Sequence, residues 1–246
     1  MSAQTDEATY YRAYWSRRFN PKAFARRVRA LHKNYAKHLP TARDASIVEI
    51  GPGFGELLAY LARSGYTNAI ALDNDATLVM ALQSRGFRGA CHVGEVAGFL
   101  RDRPGHFDCA IALHLLEHLD ADAGASLLRA IAASLKPGGT VILEVPNMAN
   151  FITAPYARWA DYTHRHGYTR ESLDAALRAT GLDVIDAFGV RRAIGSPAEL
   201  LAYAAQGVTD LITWVLLKAN YPQAWIITAP AIAVVGRRPV PPNERG

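Results

Sequence analysis

The sequence predicts an α/β fold, a doubly wound and mostly parallel sheet with helices on both faces. Three observations predict it. Strand-like apolar runs alternate with helix-like segments across short connections from residue 46 onward. A glycine-rich turn, Gly51-Pro52-Gly53-Phe54-Gly55, follows a short apolar run and opens an amphipathic one, as at a strand-to-helix junction. The chain of 246 residues, 50% hydrophobic and 20% charged, suits one domain with additions and can bury a full core.

The elements follow in order. Residues 1–40 form a basic helical segment read as a lid or cap, with nine Lys or Arg against two acids in a chain of net charge +5, so the remainder is slightly acidic. After Asn20-Pro21 a helix carries Phe24, Val28, Leu31 and Tyr35 on one side and Lys22, Arg26, Arg29, Lys33 and Lys37 on the other. That strip is either a solvated face or a surface for a phosphorylated substrate, an anionic lipid surface or nucleic acid. Tyr10, Tyr11, Tyr14 and Trp15 are read as packing or as a lid over the site.

Strands are expected at residues 46–50, 68–72, 89–93, 107–113 and 140–145, closing with 182–188 and 231–235. A helix over residues 123–135 stops at Lys136-Pro137-Gly138-Gly139, which turns the chain into the fifth strand. Another spans residues 170–180 and stops at Gly181. The main domain is placed at residues 41–238, with an apolar helical insertion at 197–219 and a loose tail at 239–246. The insertion is expected to pack on the domain as a cap or to form a homodimer contact, with a weak membrane-surface contact as the alternative. Glu199, Gln206, Asp210 and Lys218 interrupt it, so a transmembrane span is not expected.

The turn excludes the commonest phosphate motifs. A dinucleotide fingerprint needs a small residue where Glu56 stands, and a P-loop needs a Gly-Lys-Ser/Thr ending. Asp73 ends the second strand, where a carboxylate can take two ribose hydroxyls; Asp75 is better placed to cap the next helix. The two cysteines, Cys91 and Cys109, fall in strands that are not neighbours, so no disulfide is expected. With no signal-like segment after the start methionine, a cytoplasmic location is the default.

Taken together, Glu49-x-Gly51-x-Gly53-x-Gly55, Asp73, Val93-Gly94-Glu95, Phe107-Asp108 and Leu135-Lys136-Pro137-Gly138-Gly139 resemble the class I S-adenosylmethionine-dependent methyltransferases over residues 47–188. The resemblance implies a Rossmann-like seven-stranded sheet with one antiparallel strand and S-adenosylmethionine as cofactor, left as S-adenosylhomocysteine. It implies cofactor contacts from Glu49, Gly51, Pro52, Gly53 and Gly55 in the turn, and from Asp73 and Asn74 at the ribose. Glu95 and Val96 would lie at the adenine, Glu95 on its exocyclic amine, with Leu113 and His114 after the fourth strand.

A narrower likeness lies in Leu116-Glu117-His118-Leu119, Val145-Pro146-Asn147, Asp161-Tyr162-Thr163-His164 and Tyr168-Thr169-Arg170-Glu171-Ser172-Leu173. These resemble small-molecule methyltransferases tied to sugars of bacterial surface polysaccharides. The implied acceptor is small, polar and anionic or sugar-containing, with a ring of a secondary metabolite or quinone as the alternative. His114-Leu115-Leu116-Glu117 stands where base-amine methyltransferases resemble one another in an Asn/Asp-Pro-Pro-Tyr turn, and no RNA-binding module is recognisable, so nucleic acid is not expected.

Methyl transfer from a sulfonium is an in-line displacement that needs the acceptor held close and water kept out. A hydroxyl acceptor also needs a base near neutral pKa, usually histidine. Candidates at the carboxyl edge are His114, Glu117, His118, Asp161, His164 and His166. His164 is the expected base, with Asp161 orienting its ring and His118 as the second candidate. Asp161, His164 and His166 also have metal-ligand side chains, though no metal is expected. Competing readings are a non-catalytic cofactor-binding module and, more remotely, an NAD-dependent oxidoreductase.

Overall fold

The computed structural model describes residues 20–192 and 194–241, so the N-terminal aromatic cluster and the last residues of the tail lie outside the described residues. The sheet has seven strands in the order β3-β2-β1-β4-β5-β7-β6. They are β1 (Ile47–Ile50), β2 (Ala69–Asp73), β3 (Ala90–His92), β4 (Phe107–Leu113), β5 (Leu135–Pro146), β6 (Asp183–Gly189) and β7 (Ala231–Arg237). Strand β7 runs antiparallel to both β5 and β6, and the other neighbours are parallel. The order reverses direction between β1 and β4, and ligands of such sheets bind outside the carboxyl ends at that switch point.

Among the described residues the α-helices are α1 (Pro21–Tyr35), α2 (Glu56–Arg63), α3 (Ala76–Ser84), α4 (Val96–Arg101), α5 (Ala121–Ser134), α6 (Ala154–Trp159), α7 (Arg170–Arg178) and α8 (Pro197–Asn220). Their starts follow local chemistry. Asn20 caps α1 by accepting from Lys22 N and Ala23 N, with Pro21 supplying a preset φ in the first turn. Asp75 caps α3 by accepting from Thr77 N and Leu78 N, as expected from its place before the apolar run.

Successive strand residues point to opposite faces, and both faces are buried. Val48, Ala110 and Val141 look into one core with Leu127 and Ile131 of α5 and Leu173 of α7. Ile47, Ile111 and Ile142 look into the other, which α1 and α2 cover with Val28, Leu31, Tyr35, Leu57 and Leu61. The apolar stripe of α1 is therefore core, and the helix is part of the domain. Asn34 is 4% exposed and fastens it further: its amide oxygen accepts from Arg191 N at 2.9 Å, while Nδ2 donates to Arg191 O and Ala30 O, both at 3.0 Å.

Two expectations are adjusted. Lys136-Pro137-Gly138-Gly139 does turn the chain, but inside a longer β5: Leu135 pairs with Phe107 and Thr140 with Cys109, so the intervening residues bulge, with Gly138 at φ +77°. The insertion helix α8 does not pack its apolar surface on the domain, because among its residues only Thr213 is buried. Cys91 and Cys109 are both free thiols, as their separation in the strand order requires.

Asn34→Ala should lower stability by about 1–3 kcal/mol, since it strands the Arg191 backbone groups and leaves a gap. Urea unfolding followed by circular dichroism measures it; a loss under a few tenths of a kcal/mol would show that α1 is held by its apolar stripe alone.

Candidate active site

The glycine turn leaves β1 with Gly51, Gly53 and Gly55 at φ +70°, +52° and +83°, a left-handed region that side chains rarely adopt. Space enforces the choice as well. A Cβ on Gly51 would come within 3.1 Å of Leu115, and one on Gly55 within 3.0 Å of Leu82 and Phe87. Gly55 is the N-cap of α2 and has no side chain to cap it, so the first N–H groups of that helix face the turn. Pro52 is buried beneath the turn and Gly53 is half-buried.

Beneath the turn lies Glu49, only 3% exposed, whose Oε2 has no hydrogen-bond partner among the described residues. Burial pushes its carboxyl well above the usual range, and the neighbouring charges of Glu56 and Asp73 add to the rise. One Glu49 oxygen accepts from the Leu58 N–H of α2 and the other is idle, so the carboxyl and the helix start together fit a zwitterionic ligand: the acid for its amine, the N–H groups ahead of Leu58 for its carboxylate.

Because Ile50 pairs with Leu72, Gly51 and Asp73 leave adjacent strands at the same level. Asp73 Oδ1 accepts from Asp75 N at 2.8 Å, and burial raises the Asp73 pKa to about 6 despite that bond. Asn74 is exposed beside it, and its carbonyl lies 3.2 Å from His92 Nε2. Glu95 stands at the start of α4 with Val96 half-buried next to it, but its carboxylate forms a two-pronged bond with Arg101 Nη2 at 3.0 and 3.1 Å. An adenine amine would have to compete with that exposed ion pair.

The fourth strand ends at Leu113, and His114 follows with φ +53°, the one described non-glycine residue in the left-handed region. That backbone aims its ring between two carboxylates: Nε2 is 2.8 Å from Glu144 Oε1 and Nδ1 is 3.2 Å from Glu117 Oε1. Half of the side chain is open to solvent; desolvation by the surrounding protein opposes charge on the ring, but Glu144 and then Glu117 outweigh it and lift the pKa well above the usual value. His114 is thus an imidazolium. Glu144 also accepts a short hydrogen bond from the Tyr35 hydroxyl on α1, and although burial raises its pKa, the His114 charge outweighs that and holds it low.

On the acceptor side, the structure brings Glu117, His118, Asp161 and His164 together and leaves His166 on the Tyr168 ring at 4.7 Å. The expected pairing of Asp161 with the His164 ring is not formed. Asp161 Oδ1 instead accepts from Thr163 Oγ1 at 2.6 Å and Thr163 N at 3.0 Å, because the chain closes a two-residue turn there. Thr163 Oγ1 lies 2.8 Å from His118 Nδ1. Since the threonine proton goes to Asp161, the oxygen accepts from His118 Nδ1–H, which makes Nε2 the proton-accepting nitrogen.

His164 is oriented instead by the Ala157 carbonyl, 2.8 Å from its Nδ1, and its ring meets that of His118 at 4.7 Å, edge to face. Burial lowers the His118 pKa and outweighs the Glu117 charge that would raise it, so this ring is neutral. Asp161 stays ionised: burial works against it, but the Thr163 hydrogen bonds prevail. Among the described residues, Glu117, His118 and His164 are the group that could hold a cation, with ligand atoms within 4.8 Å of one another. Asp161 and His166 are not in it.

Sequence reasoning missed Tyr35, Glu144 and Thr163. Glu144 alone carried a signal, as a carboxylate in an otherwise apolar inner strand.

Comparison with known proteins matches this chain to a family. A sequence profile described as methyltransferase domain matches residues 14–187. The chain belongs to the methyltransferase domain family. A relative, ubiquinone biosynthesis O-methyltransferase of Xanthomonas euvesicatoria pv. vesicatoria (strain 85-10), is 30% identical over 184 residues, 66% of this chain and 76% of that protein. Among solved structures, a SAM-dependent methyltransferase from Archaeoglobus fulgidus superposes with a TM-score of 0.63 at 18% identity, over 86% of this chain and 93% of the other. A Burkholderia thailandensis 1,6-didemethyltoxoflavin-N1-methyltransferase, solved with bound 1,6-didemethyltoxoflavin and S-adenosylhomocysteine, has a TM-score of 0.58 at 19% identity, over 96% and 86% of the two chains. This methyltransferase thus shares its seven-stranded fold with distant relatives.

If Asp73 takes the ribose hydroxyls, it must be ionised to accept both. A carboxyl with a pKa of about 6 is ionised above that pH and protonated below it. Affinity for S-adenosylhomocysteine should therefore be full above neutrality and fall about tenfold per pH unit below the pKa. Calorimetry across that range should show the fall in the wild type and a weaker, flat profile in Asp73→Asn; a flat wild-type profile would remove Asp73 from the ligand.

Proposed function

We propose that this methyltransferase uses S-adenosylmethionine to methylate a hydroxyl on a flat, quinone-like ring, with His118 as general base. The carrying observation is the Asp161–Thr163–His118 chain, which fixes one neutral histidine with its accepting nitrogen defined. The rim of that site supports a ring acceptor: Tyr156, Trp159 and Tyr162 are 80%, 73% and 59% exposed on the segment whose Ala157 carbonyl orients His164. Flat aromatic rings stack well on such side chains. The names of the Xanthomonas relatives favour the same acceptor class. This displaces the sugar hydroxyl that the residues around Asp161 first suggest, since the relatives reported above do not support a sugar. A cytoplasmic location fits this reading.

The donor supplies a sulfonium methyl group. Glu49 and the start of α2 would hold its amino-acid end, the glycine turn its chain, and Asp73 its ribose. Glu95 and Val96 would border the adenine, and Leu113, His114 and Asn74 would line the cleft between β1, β2 and β4. On the acceptor side, His118 Nε2 takes the hydroxyl proton as the oxygen–methyl bond forms and the sulfonium–methyl bond breaks, leaving a neutral thioether. Thr163 and Asp161 are positioning residues that hold the Nδ1–H tautomer and favour the imidazolium formed in the step. His164 packs edge-on against that ring and limits its rotation.

His118→Ala should lower kcat by about 10²–10⁴ with S-adenosylhomocysteine affinity unchanged, and His164→Ala should lower it less. Thr163→Val should lower kcat and shift the acid limb of the rate profile, because the tautomer is no longer fixed. In the wild type that limb falls as pH drops through a pKa below the ordinary histidine value, since the base must be neutral and burial lowers it. Acceptors for these assays are a panel of catechols and hydroxylated quinols, with nucleotide sugars in parallel. Methylation of a nucleotide sugar alone would overturn the ring acceptor, and full kcat in His118→Ala would overturn the base.

A further inference from the structure

Helix α8 is amphipathic in the reverse sense. Its polar residues face the protein: Glu199 reaches Arg26 at 3.5 Å and accepts from Gly195 N at 2.7 Å, Asp210 meets Asn150 Nδ2 at 3.3 Å, and Thr213 is buried. Lys218 donates to the carbonyls of Pro222 and Ala224 at 3.0 and 2.8 Å. Its apolar residues face outward, with Leu201 73%, Leu211 61%, Val208 59% and Val215 50% exposed. A surface helix of a globular protein normally does the opposite. A run of large apolar side chains along 24 residues, about 36 Å of helix, is far more than scattered surface hydrophobics.

We infer that this face lies on the surface of an anionic lipid bilayer. Three observations select that cover. Charge comes first: Arg26, bonded to Glu199, belongs to the stripe of Lys22, Arg29 and Lys33 on α1, and Asn34 holds Arg191 five residues before the Ser196 cap of α8. Lys22, Arg29, Lys33, Arg191 and Arg192 are exposed, so the apolar helix begins at a basic border. Two copies of this chain would set these like charges against each other, whereas phosphate headgroups neutralise them.

Aromatic placement comes second. Trp214 and Tyr203 are 45% and 44% exposed on α8, and Trp225 is 65% exposed just beyond it. Tryptophan and tyrosine are the side chains that favour the headgroup level. Attachment comes third. By length and composition α8 could cross a membrane, but it is tied to the domain at its start through Glu199 and midway through Asp210. A helix fastened to one domain at its start and its middle, with a carboxylate at the second tie, lies on a bilayer and does not span it. Asn150 also borders Phe151 and Ile152, 46% and 41% exposed, which extend the face toward the acceptor rim.

The test is co-sedimentation of the full chain with vesicles of phosphatidylglycerol and phosphatidylcholine, or of phosphatidylcholine alone. The bound fraction should be several-fold higher with phosphatidylglycerol and should drop between about 0.1 M and 1 M salt, as screening lengths shorten. The Leu201→Glu, Leu211→Glu, Val215→Glu triple variant should lose sedimentation while keeping S-adenosylhomocysteine affinity, the sign that it is folded. With the wild type alone, vesicles brominated on their acyl chains should quench tryptophan fluorescence. Absence of both sedimentation and quenching would overturn the inference, as would full binding by the folded triple variant. A stable dimer in light scattering that the triple variant splits, without vesicle binding, would assign the face to a second copy. None of these readouts uses an acceptor, so they stand or fall apart from the methylation assay.

Discussion

Glu144 is a carboxylate in an inner strand, and its neutralisation is the constraint on which the carboxyl edge of the sheet depends. Removing an ion of this size from water costs several kcal/mol after relaxation, so an unpaired Glu144 would be strongly destabilising. Two partners meet the cost: the hydroxyl of Tyr35, brought by α1, and the His114 imidazolium, brought by the end of β4. His114 reaches both carboxylates while its backbone takes a left-handed conformation, and its other nitrogen holds Glu117. The Glu117 carbonyl in turn accepts from Arg165 N and His166 N at 2.7 and 3.1 Å, which sets the loop that carries Thr163 and His164. The packing of α1 and the geometry of the loop carrying Thr163 and His164 are thus one chain of hydrogen bonds.

Much of the fold could be read locally. Strand positions agreed with apolar runs to within a few residues because parallel inner strands are buried on both faces and read as nearly continuous apolar runs, with Glu49 in β1 and Glu144 in β5 as isolated exceptions. The glycine turn was legible because positive φ has few residues that tolerate it, and the α3 cap because Asp75 stands just before the apolar run it starts. The acceptor side was only half legible. Residue types named the histidines, but which histidine Asp161 serves depends on a Thr163 hydroxyl and a partner 45 residues away, and no local spacing encodes that. The same holds for Tyr35 and Glu144, separated by 109 residues.

Helix α8 misled for a different reason. Periodicity locates an apolar face but does not say which way it points, and the default assumption is inward. Here the inward side is decided by a few specific polar contacts, to Arg26 and Asn150, that only the assembled domain reveals. Those contacts also explain why the element can sit at the sheet edge without disturbing either core: it is a loop excursion between β6 and β7, fastened by side chains instead of buried by them.

The strand order has a bearing on synthesis. Strand β7 is the last in the chain, yet it lies between β5 and β6, which have no direct pairing with each other. As the chain leaves the ribosome, β6 has nowhere to dock until β7 has followed it, and α8 emerges in the interval. The apolar helix is therefore displayed before the sheet that carries it is complete. Whatever meets it first during translation meets a domain whose final inner strand is still missing.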